Sequence, residues 1–225
     1  MFSFLSITLL PCLLGALLVL LLILKKGDIC PGQRGRIFKQ VLTLGGLWLV
    51  SGLTFWPAAI VGLLLLTFFS RVKTGKTRDE GPVVLLYLAA IFGFGCVIYL
   101  GANMGWLFSL YILFCFLLLG AWLAHVLLIQ ARTRLQAFHF VLPVAGIIAA
   151  MGVAVVVLLK GAQLEPQMLT ILMNSILVNL VALLVGLSLW IWHLFSQKTV
   201  TLWLPLAGFL IGFVSVTNLV LLIGV

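Results

Sequence analysis

The sequence predicts an all-α, polytopic membrane protein with eight transmembrane helices, and three observations predict it. First, 64% of its 225 residues are hydrophobic and only 8% are charged, where a soluble domain carries about 25% charged residues. Second, the charged residues sit in short segments between apolar runs, so residues 1–225 form a single integral-membrane domain. Third, the run Val41 to Ser70 is thirty residues long, carries no charge and has basic clusters on both sides. Before it stand Lys25, Lys26, Arg34, Arg36 and Lys39; after it stand Arg71, Lys73, Lys76 and Arg78.

That run decides the topology. As one helix it would be about 45 Å long, against a hydrocarbon core of roughly 30 Å, and it would put the basic clusters on opposite sides. Gly52 and Pro57 near its middle permit a short, tight hairpin of two helices instead. With the hairpin, twelve of the thirteen Lys and Arg residues share one side, and only Lys160 lies opposite. Without it the split is six against seven. Positive charge collects on the cytoplasmic side, so the hairpin and eight helices follow, with both termini on the outer side.

In chain order the expected helices are Phe4 to Leu24, Val41 to Phe55, Pro57 to Ser70, Val83 to Gly101, Trp106 to Gln130, Phe138 to Leu159, Met168 to Phe195 and Trp203 to Leu222. The first apolar run has no positive segment before it and no small-residue cleavage site after Leu24, so it reads as a retained helix. The second and third are short, about 22 Å each by helical rise, which calls for a thinned bilayer or an apex below the outer surface. Trp56 and Trp106 fall at the outer interface, and Trp190, Trp192 and Trp203 at the inner one, where indole rings anchor. The recurring glycines Gly45, Gly46, Gly93, Gly95, Gly208 and Gly212 point to close helix packing.

Composition and motifs exclude several function classes. The net charge of +9 resides in topogenic loops rather than in a basic stripe with aromatic platforms, so no nucleic acid is expected as a partner. Cys12, Cys30, Cys96 and Cys115 show no CxxC pairing, and no metal spacing is present. The four carboxylates, Asp28, Asp79, Glu80 and Glu165, all lie between apolar runs. Ion-coupled carriers place such groups inside the membrane. No nucleophile, base and acid set points to hydrolysis either.

Two groups of polar residues remain. His125, His139 and His193 fall near the inner ends of their helices. Histidines on facing helices are able to hold a b-type haem, but the expected role is interfacial polarity, with no haem or metal in this chain. Asn174, Ser175 and Asn179 on the seventh helix and Ser215, Thr217 and Asn218 on the eighth are placed for interhelical hydrogen bonds. A site for a polar headgroup is the sharper alternative.

The run LLILKKGDI, Leu21 to Ile29, followed by GLWLVSGLTF, Gly46 to Phe55, resembles the start of the membrane-anchor subunit of dimethyl sulfoxide reductase. LPVAGIIAAMGVAVVVLLKGAQL, Leu142 to Leu164, is similar to that family's sixth helix and its exit, and the closing helix after Pro205 is similar in placement. The resemblance implies eight helices in a bacterial inner membrane with both termini periplasmic. It implies as partners a molybdopterin catalytic subunit, an iron–sulfur subunit and the lipid bilayer, with menaquinol as the electron donor for anaerobic electron transport. The family's outer loop between helices two and three carries a His-Leu-Gly and, further on, an Asn-Glu pair that serve the quinol site. Here it is shortened to TFWPAA, Thr54 to Ala59, and no histidine or carboxylate lies between Gln40 and Arg71. If this chain binds quinol, the site is expected near Trp56 and Asn103, at the outer ends of helices two to five: an outer-facing partner needs its donor there, Trp56 offers an aromatic face and an N–H, and Asn103 offers a donor and an acceptor. The alternatives from other classes are a non-redox membrane scaffold or assembly protein and a passive carrier of a small molecule.

Overall fold

The computed structural model describes residues 4–76, 78–102, 104–132, 136–196 and 201–223. They form eight helices: α1 (Phe4–Lys26), α2 (Pro31–Gly52), α3 (Pro57–Arg71), α4 (Val83–Gly101), α5 (Trp106–Gln130), α6 (Gln136–Gly161), α7 (Pro166–Ser196) and α8 (Trp203–Ile223). Six of them, all but α2 and α3, are long and apolar enough to cross a membrane. The expected bounds of α4 and α5 match, and those of α1, α3, α6, α7 and α8 differ by a few residues at most.

The start of α2 is the clear correction. Hydropathy marks Val41, but the helix begins at Pro31. Cys30 is extended ahead of it (φ −70°, ψ 156°), and its N–H donates to Gln33 Oε1 at 3.3 Å. Proline at the first helical position needs no N–H partner. Ile37, Phe38 and Val41 are buried on one side, while Arg36 and Lys39 are exposed on the other. The supposed loop is thus an amphipathic helix start, which an apolar window does not detect. α2 also ends at Gly52, leaving residues 53–56 as the turn.

α2 and α3 form the expected hairpin. Gly52 packs against Ala59, Gly62 against Leu49, and Gly45 against Leu65 and Leu66. Nearer the open end, Phe38 and Phe68 meet edge to face with centroids 5.5 Å apart. Contacts that run in opposite order along the two helices make them antiparallel. The two basic segments therefore meet at one end, where an Arg34 Nη1–H donates to the Arg78 carbonyl and Lys25 Nζ lies 4.0 Å from Glu80.

The bundle divides into two four-helix lobes, α1–α4 and α5–α8, joined mainly by α1 against α5. At that crossing the backbones touch: a Cβ on Gly15 would stand 2.7 Å from Gly120 Cα, and one on Gly120 2.6 Å from Gly15 Cα. Both glycines lie in the same tetrapeptide, LLGA, at residues 13–16 and 118–121. A second echo joins the lobes: FKQVLTLGG at 38–46 and FHFVLPVAG at 138–146, on α2 and α6. Away from the basic end, Thr8 and Thr217 hydroxyls bond at 2.9 Å, and Tyr111 O–H donates to the Val216 carbonyl at 2.6 Å. These ties fasten α8 to both α1 and α5.

Replacing Gly120 with leucine should force α1 and α5 apart and destabilise the protein by about 1–3 kcal/mol. Gly46, around which a Cβ would meet nothing within 4 Å, is the control; Gly46→Ala should not lower the thermal melt of the purified protein and should stabilise it by about 0.5–1 kcal/mol through helix propensity.

Candidate functional site

The sequence singles out two places, and the structure builds a different object at each. At the end away from the basic segments, the α2–α3 turn and α4 enclose a cleft of about 700 Å³. Thr54, Phe55, Trp56, Pro57 and Ile60 form one wall; Ile91, Phe92, Gly95, Cys96 and Tyr99 form the other. The second set recurs along one face of α4, at the spacing a helix requires.

The turn is held rigidly. Thr54 Oγ1 shares a 2.7 Å hydrogen bond with Ser6 Oγ on α1 and donates to the Ser51 carbonyl at 3.0 Å. Phe55 is buried and stacks on Tyr99, with centroids 6.1 Å apart and planes 22° apart. That leaves Trp56 turned outward, 74% exposed, at the rim. A Cβ on Gly95 would meet nothing within 4 Å, so this glycine holds open volume rather than a close contact. The lining is apolar with four polar handles: the Thr54 and Tyr99 hydroxyls, the Trp56 indole N–H and the Cys96 thiol. Such a site suits a lipophilic ring with polar substituents.

Asn103, the second expected quinol residue, lies outside the described residues. Its described neighbours Gly101 and Ala102 border another crevice, about 310 Å³, between α4 and α5. There Ser109 O–H lies 3.1 Å from both the Gly101 and the Gly105 carbonyls.

At the basic end, α5, α6, α7 and α8 converge on an array in which His125, Trp122 and Trp190 are buried and His139 is half-buried. Trp190 Nε1–H donates to His125 Nδ1 at 2.7 Å, and His125 Nε2 lies 2.9 Å from His139 Nδ1. An indole nitrogen only donates. His125 Nδ1 must therefore accept, so its Nε2 carries the proton and points it at His139 Nδ1. Both tautomers follow from that hydrogen-bond logic. A haem iron held between two imidazoles takes a lone pair from each. In this arrangement those lone pairs serve Trp190 and His125 instead. The side chain of His193, the third histidine, lies outside the described residues.

Trp190 corrects the interfacial reading. It is fully buried, stacked on Trp122 with centroids 4.5 Å apart and planes 7° apart. Trp122 in turn donates to the Pro205 carbonyl at 3.0 Å. The glycines make room: Gly146 faces the Trp190 ring, while Gly186, Gly208 and Gly212 face that of Trp122. Trp190 and Trp192 are two residues apart, about 200° around a helix, so one faces inward when the other faces out. Trp56, Trp106, Trp192 and Trp203 are exposed. Trp122 was the missed residue; the glycines facing it are the signal that a large ring needs space there.

The amides behave as interhelical ties. Asn218 Nδ2 donates to Asn179 Oδ1 at 3.3 Å, and Ser215 O–H donates to the Asn179 carbonyl. All four carboxylates stand between helices, as expected. Among the described residues, no group of three or more His, Cys, Asp or Glu gathers in metal-binding fashion.

These features define an all-helical integral membrane protein with several apolar helices. The chain belongs to a family described as an integral membrane domain, whose model matches residues 2–220. It is similar to a Haemophilus influenzae protein described as uncharacterized, at 34% identity over 171 residues. That match covers 67% of this chain and 62% of the relative, so it spans less than two thirds of the relative's length. No solved structure matches.

Histidine-labelled protein should show the Nε2–H tautomer at both His125 and His139 in ¹⁵N spectra. Trp190→Phe should release His125 to exchange tautomers and cost about 1–3 kcal/mol, because it strands a buried acceptor.

Proposed function

We propose that this chain is the membrane anchor of a dimethyl sulfoxide reductase-type complex in a bacterial inner membrane. On this reading all eight helices span, with α2 and α3 as the short hairpin and both termini periplasmic. The anchor holds a molybdopterin catalytic subunit and an iron–sulfur subunit, and menaquinol enters the cleft beside Trp56. No haem or metal in this chain takes part.

The cleft is the observation that carries the reading. It lies at the end opposite the basic segments, the side on which a periplasmic redox partner needs its electron donor. Phe55, Tyr99 and Trp56 offer aromatic faces for a quinone ring, and the Trp56 indole N–H offers a hydrogen bond to one of its oxygens. Oxidation of a quinol also needs an acceptor for its protons. Among the described residues, the lining holds no histidine, carboxylate or amine, so on this reading the protons leave to water at the cleft mouth.

One observation favours the scaffold alternative: no histidine or carboxylate lies between Gln40 and Arg71, where the resembled family places them. Purification from native membranes decides between them. A co-purifying molybdopterin enzyme and iron–sulfur protein support the anchor. Assembly of that complex without menaquinol oxidation supports the scaffold.

In the assembled complex, Trp56→Ala and Gly95→Leu should each lower kcat/KM for a menaquinol analogue by about tenfold, equivalent to roughly 1.4 kcal/mol. Trp203→Ala, at the opposite end, should not. Asn103→Ala tests whether the neighbouring turn belongs to the site. Normal turnover by both cleft variants would remove the cleft from the proposal.

The topology has its own check. Cys30 is exposed, whereas Cys12, Cys96 and Cys115 are buried. A membrane-impermeant thiol reagent should label Cys30, and Gly75→Cys in a Cys30→Ser background, from the cytoplasmic side only. Labelling of the two from opposite sides would end the eight-span arrangement.

A further inference from the structure

We infer that the basic end of the first lobe is a binding surface for anionic phospholipid headgroups. Three chain segments build it: Lys25 and Lys26 at the end of α1, Arg34, Arg36 and Lys39 on the first turns of α2, and Arg71, Lys73, Lys76 and Arg78 from the end of α3 onward. All nine except Arg34 are exposed. The fold presses these segments together. Arg34 bonds the Arg78 carbonyl, and Gly35, lacking a side chain, lets the Thr74 and Gly75 backbone lie directly on α2. Nine cations and three carboxylates, Asp28, Asp79 and Glu80, thus share one surface.

The second lobe serves as an internal control. It repeats the four-helix plan, the LLGA crossing and the α2-like run at 138–146. In sequence, its corresponding links carry three cations, Arg132, Arg134 and Lys198, of which Arg134 and Lys198 lie outside the described residues. At the position of Lys39 in the matched runs it carries His139. If three cations suffice to orient four helices there, orientation does not account for nine in the first lobe. The extra charge calls for an anionic partner.

Position selects lipid over protein. Lys25 and Lys26 end one apolar helix, and Arg71 ends another. Their charges therefore sit where the hydrocarbon stops and lipid phosphates begin. Arg36 and Lys39 lie one turn apart on the exposed face of α2. Clustered Lys and Arg beside a transmembrane helix bind anionic headgroups, each cation contributing about 1 kcal/mol near the surface.

The test is native mass spectrometry of the full chain released from nanodiscs holding equal phosphatidylglycerol and phosphatidylcholine. Wild type should retain phosphatidylglycerol over phosphatidylcholine by at least about tenfold, and high salt should erase the preference. The variant Arg36→Gln/Lys39→Gln/Lys73→Gln/Lys76→Gln should lose it, and Arg132→Gln/Arg134→Gln should keep it. The salt response of wild type needs no variant to fold. No preference in wild type, a preference indifferent to salt, or equal loss in both variants would overturn the inference. So would retention of an acidic soluble protein by wild type in phosphatidylcholine-only nanodiscs without lipid selectivity, which would assign the surface to a protein partner.

Discussion

The contact between Gly15 and Gly120 is the constraint on which the rest of the bundle depends. Lipid tails are as apolar as leucine side chains, so helices in a membrane gain little from hiding apolar surface and much from close packing. At this crossing neither glycine has room for a Cβ: one built on Gly15 or on Gly120 would stand within 2.7 Å of the other's Cα. The approach brings Cys12 Sγ within 3.4 Å of the Leu119 carbonyl and seats α8 against both helices through Thr217 and Val216. The lobes on either side are then placed by their own hairpins.

A second rule governs the interior: glycines and large rings are paired. Gly146 receives Trp190; Gly186, Gly208 and Gly212 receive Trp122; Gly93 receives Leu14 and the Trp48 ring. Each pairing replaces a void with ring contacts, and the stacked indoles align Trp190 with His125. The polar array at the basic end is thus a product of packing as much as of hydrogen bonding. Gly95 is the counter-example. It lies two residues from Gly93 on the same helix, yet nothing fills the space before it. A filled notch and an open cleft therefore come from the same residue type, and the difference lies in what the neighbouring helix supplies.

Charge and apolarity decided much of the molecule before any contact was known. The distribution of lysine and arginine required a hairpin inside Val41 to Ser70, and Gly52 and Pro57 marked its turn. The eight helices, the positions of the carboxylates outside them and the clustering of His125 and His139 at one end of the bundle were legible for the same reason. These properties follow from transfer energies of single residues and from helical periodicity, both of which are local. Trp56 was legible in the same way, as a ring beside a helix break.

What the tertiary structure alone decided depends on which face of a helix meets which neighbour. Apolar residues surround these helices, so hydropathy does not separate a lipid-facing side from a packed one. Trp190 therefore read as an interfacial anchor, although the Trp122 ring and Gly146 bury it completely. The charged first turns of α2 read as loop because an apolar window passes over an amphipathic start, although Pro31 and the Cys30–Gln33 cap mark it locally; the packing against the segment after α3 is what the tertiary structure adds. The tautomers of His125 and His139, the open volume beside Gly95 and the convergence of three basic segments on one surface all join residues far apart in the chain. A linear pattern of single-residue energies contains none of those distances.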